Sequence, residues 1–588
     1  MVANLPNDYA ARVERLTNLF ADFDAFDALA AIWTTNAVAD PETYKEWEHP
    51  GVIAAPELAA SLLLRRSTRE GQRPGAMLSG AVILEAQELL VELLQMKSFM
   101  LMENASKRTD SSDVFAELRA TGLVHRLAVR GPSYDWQEER TVRELFDDGS
   151  VRDDVVAVCG FTAIAALKLV DGVVTALKDL DLAAAETAIH SRLIAWTSVA
   201  LGTTMSFTPR ELAAHTGRTV DETRAFLTMF SLPFGEAPAP GREIDIEDVR
   251  NRPLIRDDAD RYLCVSLPSL LFALRGGIEG ALKDHGPKAF ARYESHRSKI
   301  VEQRAVAALA KALRPDCAHK GLFYEVKEDG VAKKPELDGL MRADSALLTV
   351  ESKASSMRPS AKRLAPDSLR DWLKSEVSNA ARQARRAGAA LLDDTRPPTL
   401  TDQSGKSVAV NLSGIDHVFE LVVVLEDLSA VAPSTWLLAD AEILPSEPIP
   451  LLITCTSLRS FARSSNGPAN SFTTFSDDGE WMTRVGHGRS MSLTISCTTF
   501  SLVYGGRIEG TGNRLRRPRR CFRTLRSLTR GSSTSAASER SLPSTTPMLQ
   551  VFWTASSSLG LAADSILRLP SWTTTRRRDA RSRTFSET

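Results

Sequence analysis

The stretch KPELDGLMRADSALLTVESKAS, residues 334–355, limits what this chain can fold into more than any other. PELDGLM and ALLTVESK are short apolar-rich runs separated by the turn-forming RADS, so they read as two antiparallel strands joined by a tight turn. Side chains two apart in a strand share a face. Glu351 and Lys353 therefore project together from the end of the second strand, with Asp338 on the neighbouring strand across the turn. Around this hairpin, YESHRSKIVEQRAVAALAKAL reads as an amphipathic helix, GLFYEV as a strand and KEDGVAKK as a turn. SLRDWLKSEVSNAARQARRAGAALL reads as a second helix and the nearly continuous apolar HVFELVVVLEDL as a buried strand. The order helix, strand, strand, strand, helix, strand predicts an α/β domain over 291–455, a mixed β-sheet flanked by helices.

Carboxylates at neighbouring strand ends suit a hard divalent cation such as Mg²⁺, with Mn²⁺ as a substitute, which takes oxygen ligands and keeps waters for a phosphate substrate. A lysine beside them can orient a water or stabilise developing charge, and together these meet the needs of phosphodiester hydrolysis. The arrangement of E-x-D, about a dozen residues, then V-E-x-K, with an acid-bearing helix before and a glutamine-bearing helix after, resembles the PD-(D/E)XK nuclease superfamily, especially its restriction-endonuclease-like members. The resemblance covers 291–425 and departs from the name-giving motif in having Leu337 where proline precedes the aspartate. It implies a restriction-endonuclease-like fold, Asp338 and Glu351 as metal ligands, Lys353 as the catalytic lysine, Glu302 as the first-helix metal ligand and Gln383 as the catalytic glutamine of the following helix. Each has a plainer reading: an acid and a lysine at a strand end are common surface residues, Glu302 suits a solvated helix face, and Gln383 suits a cap or solvent. Glu336, two before Asp338 on the same strand face, is expected to support the site.

Residues 1–205 show apolar positions at spacings of three and four in segments such as AVILEAQELLVELLQM, SSDVFAELRATGLVHRLAV, VVAVCGFTAIAALKLVDGVVTAL and LAAAETAIHSRLIAWTSVAL, and read as an α-helical module. In 206–232, Thr208 with Pro209 and Glu211, then Thr219 after Gly217 with Glu222, form two helix starts around a glycine turn. This outline resembles helix-turn-helix and winged-helix DNA-binding domains, with Thr223 and Arg224 expected outward on the second helix; it is equally the outline of a plain packing unit. Residues 233–290 read as a linker and a small strand-containing connector.

The N-terminus MVANLPNDYAARVERL interrupts any apolar core with charges, unlike a signal peptide, and the apolar run from 76 carries Glu85, Glu88, Glu92 and Lys97, which a membrane span would exclude. The six cysteines form no CxxC pair or zinc-like cluster. A cytoplasmic protein with reduced thiols and no membrane partner is the expectation. The formal charge of −2 hides an asymmetry: 456–588 holds 20 arginines against 8 acidic residues, while 1–455 is acidic. No lysine follows Lys406, and Ser and Thr make up about a third of 456–588. That tail reads as a translation of a shifted reading frame or as a basic, disordered Ser/Arg tail, although Trp481, Trp553 and Trp572 sit poorly with disorder. The function expected is a Mg²⁺-dependent endonuclease acting on DNA, as monomer or homo-oligomer, with the strips SMRPSAKR and RQARRAG placed to meet phosphates. The rivals are a non-catalytic DNA-binding regulator on a nuclease-like scaffold and a nuclease inactivated by a frameshift.

Overall fold

The computed structural model describes residues 4–37, 54–76, 78–107, 122, 134–178, 201–236 and 244–458, except 329, 363, 394–397, 429–430, 433–434 and 446–449, together with four strands between 471 and 504. Met1–Ala469 with Cys497–Thr499 forms one compact unit, and Asn470–Ser496 with Phe500–Thr588 forms a second. In the second unit Ser471–Phe475, Trp481–Val485, Met491–Ser496 and Thr499–Tyr504 are neighbours in chain order, the first three antiparallel. Apart from those strands, 459–588 lies outside the described residues, and with it the shifted-frame and basic-tail readings. The helices expected over SSDVFAELRATGLVHRLAV and LAAAETAIHSRLIAWTSVAL also fall outside them.

The amino-terminal part is helical: Leu5–Phe20, Ala25–Ala37, Ala55–Leu63, Gly80–Lys107, Asp135–Phe146, Gly149–Cys159 and Ala163–Lys178. The acids on the long apolar helix have a use, since Arg15 meets Glu85 at 2.6 Å and Arg12 meets Glu92 at 2.5 Å, both from Leu5–Phe20. VVAVCGFTAIAALKLVDGVVTAL is broken in two because Gly160, at φ 76°, supplies the left-handed cap that ends Gly149–Cys159. Among the described residues no single helix is long and apolar enough to cross a membrane; that bent pair, at 58°, passes on length and composition only when its members are taken together.

Both capping boxes form: Glu211 N donates to Thr208 Oγ1 at 3.3 Å, and Glu222 N to Thr219 Oγ1 at 3.1 Å. Helices Pro209–Thr216 and Val220–Met229 result, with Gly217 left-handed between them. Strands Ser206–Phe207, Tyr262–Cys264, Leu254–Arg256 and Ser231–Pro233 pair in that order beside them, so the expected connector over 233–290 supplies strands to the same sheet and then a 19-residue helix, Leu267–His285 (α1). The expectation for Thr223 is corrected: it is 0% exposed and its hydroxyl donates back to Thr219 O at 2.8 Å. Neighbours in a helix lie about 100° apart, and here Phe226 and Leu227 set the inner face. Arg224 does face outward, where it pairs with Asp260 of the adjoining hairpin at 3.0 Å.

The larger sheet has seven strands: β1 (Cys317–Tyr324), β2 (Glu336–Ala343), β3 (Ala346–Lys353), β4 (Leu400–Thr401), β5 (Ser407–Val408), β6 (His417–Val424) and β7 (Leu451–Thr454), in the spatial order β5-β4-β1-β2-β3-β6-β7. β1, β2 and β3 form an antiparallel meander, while β6 and β7 run parallel to β3, giving a mixed sheet. KEDGVAKK, expected as a bare turn, carries a small hairpin of its own, Val326–Glu328 with Val331–Lys333. Helix Pro287–Leu313 (α2) and helix Asn379–Leu391 (α3) cover this sheet. α3 is the end of a longer helical run from Pro366 that includes a π-helical turn at Leu373–Ser378.

A buried ionic cluster ties α1 and α2 to the end of β6. Arg297, 0% exposed, donates to Glu279 Oε1 at 3.0 Å and to Glu426 Oε1 at 2.5 Å, and the Tyr293 hydroxyl donates to Glu279 at 2.5 Å. Burial pushes the Glu426 carboxyl up, but Arg275, Lys362 and Arg297 together overcome it and hold the group down at about 2. The cluster is charged, and its charges need one another.

Candidate active site

The turn sets the register on which the site depends. Ala343 pairs with Ala346, leaving a two-residue loop in which Asp344 takes φ 52°, a left-handed conformation that aspartate tolerates. The ladder then runs to Gly339 opposite Val350. One step further brings Asp338 to the level of Glu351, and by alternation Glu336 lies on the face of Asp338 and Lys353 on that of Glu351. At Asp338 the side chain takes over from the ladder: its Oδ2 accepts from Ser352 N at 2.7 Å.

Two glycines let the covering helices come close. A Cβ on Gly339 would lie 2.9 Å from Val306 Cγ2, so this bare position allows α2 to approach β2 and brings Glu302, one turn before Val306, to the strand end. On the opposite face a Cβ on Gly388 would lie 2.9 Å from Val418 Cγ1 and 3.9 Å from Thr349 Cγ2. The adjoining Ala380, Ala381, Ala384 and Ala387 are buried, so α3 lies on the sheet through a stripe of small residues. Gln383 then reaches β3, where its Oε1 accepts from Lys353 Nζ at 2.9 Å. Neither a helix cap nor solvent accounts for Gln383.

The carboxyls of this site are electrostatically uncomfortable. Burial, with Asp338 next and Glu336 adding a little, pushes Glu351 up to about 8 against the pull of Lys353 and Arg386. Glu302 is raised to about 7 by burial and then by Asp338 and Glu336. Asp338 is raised by burial, while the Ser352 amide and Lys353 act the other way. Glu351 is 3% exposed and its buried Oε1 has no hydrogen-bond partner. Acceptor oxygens in this condition take a proton or a cation.

The donor chemistry fits Mg²⁺, which is commonly held by one or two carboxylates plus waters and substrate oxygens. Asp338 and Glu351 supply two carboxylates from adjacent strands. Among the described residues, however, no three His, Cys, Asp or Glu side chains gather as a ready ligand group, and Glu302 on α2 is coupled by charge to Asp338 and Glu336.

Sequence reasoning missed the Ser352 amide and the Tyr324 side chain, and had Arg386 only as one member of the strip RQARRAG. Arg386 Nε donates to the Tyr324 hydroxyl at 3.2 Å. The spacing Gln383 to Arg386, one helical turn, was the available signal. The expected phosphate strips divide: Arg385 is held by Glu420 at 2.9 Å and Lys362 sits 3.6 Å from Glu279, while Arg382 meets Asn379. No family model, curated protein or solved structure matches the chain.

Proposed function

We propose that this chain is a Mg²⁺-dependent endonuclease hydrolysing DNA phosphodiester bonds, with a restriction-endonuclease-like arrangement of its sheet. The observation that carries the proposal is the cross-strand group of Asp338, Glu351 and Lys353, in which a buried Glu351 oxygen has no partner and Lys353 is held by Gln383.

Asp338 and Glu351 would hold the cation, Mg²⁺ or Mn²⁺, and Glu302 would add negative charge from α2. A cation bound there offsets phosphate charge and acidifies a coordinated water. The chain's own contribution is positional. The Ser352 amide fixes one oxygen of Asp338. Lys353 is kept from wandering by the Gln383 amide oxygen and directs its remaining protons toward a water or a phosphate oxygen. Sheet and helix exclude bulk water from Glu351, which strengthens each of these interactions. DNA as substrate rests on the family resemblance of the motif. In the helix-turn-helix-like unit Arg224 is paired with Asp260.

The test is plasmid cleavage by the full-length protein with Mg²⁺ or with EDTA, alongside Lys353→Ala. Cleavage that requires both the metal and Lys353 is expected. Metal-independent cleavage, or an active Lys353→Ala protein, refutes the assignment. Binding of DNA by folded protein without cleavage favours the regulatory scaffold instead.

A further inference from the structure

We infer that Glu376 is a positioning residue of this site: from the π-helical turn ahead of α3 it holds Ser355, two residues past Lys353, and so fixes the strand end that presents the lysine. The inference rests on the nuclease reading above and adds a second hold to the one made by Gln383.

The end of β3 needs such a hold. Its backbone ladder to β2 stops at Val350, whereas the ladder to β6 continues to Lys353 opposite Val424, and Leu425 N then donates to Lys353 O at 3.1 Å. Residues 351–353 are therefore backed by a ladder on one side, and on the other by the hydrogen bond from Ser352 N to Asp338. Beyond Lys353 the chain leaves the sheet, and Ala354 and Met357 are buried. Met357 lies in one apolar cluster with Leu369, Trp372, Leu373 and Val377, so the segment after β3 packs on the helical run that leads into α3.

Glu376 stands on that run between the buried Leu373 and Val377, within the π-helical turn Leu373–Ser378. Such turns are rare and are often found at functional sites. Its Oε2 accepts from Ser355 Oγ at 2.7 Å, both residues being half-buried, and its Oε1 accepts from Ser375 Oγ at 3.4 Å inside the same turn. Gln383, about two turns further along, takes Lys353 Nζ at 2.9 Å. One helical run thus grips the strand end at two points, the lysine ammonium through Gln383 and the chain just beyond it through Glu376. Lysine carries its charge on a long flexible stem, and the ammonium meets a water or phosphate oxygen reproducibly when the backbone beneath it is held. A carboxylate accepting from a hydroxyl makes a firmer hold than a neutral pair would.

The experiment measures kcat and KM for Mg²⁺-dependent plasmid cleavage by full-length wild type, Ser355→Ala, Glu376→Ala, Glu376→Gln and the double variant Ser355→Ala with Glu376→Ala, with urea unfolding to establish that each is folded. Ser355→Ala and Glu376→Ala are each expected to lose on the order of 10²-fold in kcat with little change in KM, because a misplaced group costs the chemical step more than binding. Glu376→Gln keeps an acceptor oxygen and should regain most of the loss. The double variant should lose no more than the worse single variant, since both act through one bond. A lowered unfolding midpoint without this split between kcat and KM marks a residue that only supports the fold, and overturns the inference. Wild type that cleaves beside a Glu376→Ala protein within about twofold of it in kcat also overturns it and leaves the nuclease reading standing. So does a double variant whose loss is the product of the two single losses. Should Glu376→Ala not fold, Ser355→Ala decides: undiminished kcat overturns the inference. Wild type that does not cleave removes the nuclease reading and this inference with it.

Discussion

Replacing Glu351 by glutamine should make the metal-free protein more stable at alkaline pH. The native carboxyl titrates at about 8 against an ordinary value of 4.5, chiefly because it is buried and next because Asp338 faces it. At about 1.4 kcal/mol per pH unit that displacement corresponds to about 5 kcal/mol. The sign follows from proton counting. Between pH 4.5 and about 8 the native state keeps a proton that the unfolded chain has released, so rising pH favours unfolding. The stability is whole below 4.5 and lost as pH climbs through about 8. Glutamine has nearly the same shape and no proton to lose. In EDTA, urea unfolding followed by tryptophan fluorescence should therefore show wild type and Glu351→Gln close together at about pH 5. The variant should be ahead by several kcal/mol at about pH 9, with about 5 kcal/mol as the ceiling. Saturating Mg²⁺ should narrow the alkaline gap, because a cation bound only to the native wild type stabilises it. A difference between the two proteins that does not change with pH would refute the burial argument for Glu351.

Other outcomes follow from the packing. Arg297→Met should destabilise the first unit by about 3–5 kcal/mol in the same urea experiment, because Glu279 and Glu426 would remain buried without the arginine that hydrogen-bonds both; unchanged stability would show that Arg275 and Lys362 suffice. Gly388→Ala would place a methyl 2.9 Å from Val418 Cγ1 and should cost about 1–3 kcal/mol. Val418→Ala in the same chain should restore most of that, and if it does not, the close approach of α3 to the sheet is not what Gly388 provides.

Much of the local structure was legible in the residues. RADS allows a two-residue loop, and that loop sets Asp338 opposite Glu351 by counting along the strands. Thr208 and Thr219, each with Glu three residues on, marked helix starts that form as read. What failed was the assignment of faces beyond one element. Thr223 and Arg224 looked alike in sequence, yet one is inside and one outside, because the packing partners of Phe226 and Leu227 come from elsewhere in the chain. The strands expected in the connector after 232 are present, but their place in one sheet with Ser206–Phe207 and Ser231–Pro233 was not legible, since such short runs gain their stability only by pairing with partners outside their own segment.

The same division applies to the candidate site. The sequence alone determined the hairpin and the shared face of Glu351 and Lys353, with Asp338 on the neighbouring strand, because these depend on side-chain alternation and on one short turn, both local properties of the chain. Only the tertiary structure decided that Ala343 would pair with Ala346, that Gly339 and Gly388 would admit two helices to opposite faces, that Gln383 would take Lys353 as its partner, and that Arg385 would be held by Glu420. It also decided that Glu351 would be buried and therefore reluctant to lose its proton. Close approach and desolvation arise from groups far apart in the chain, and no spacing within a segment encodes them.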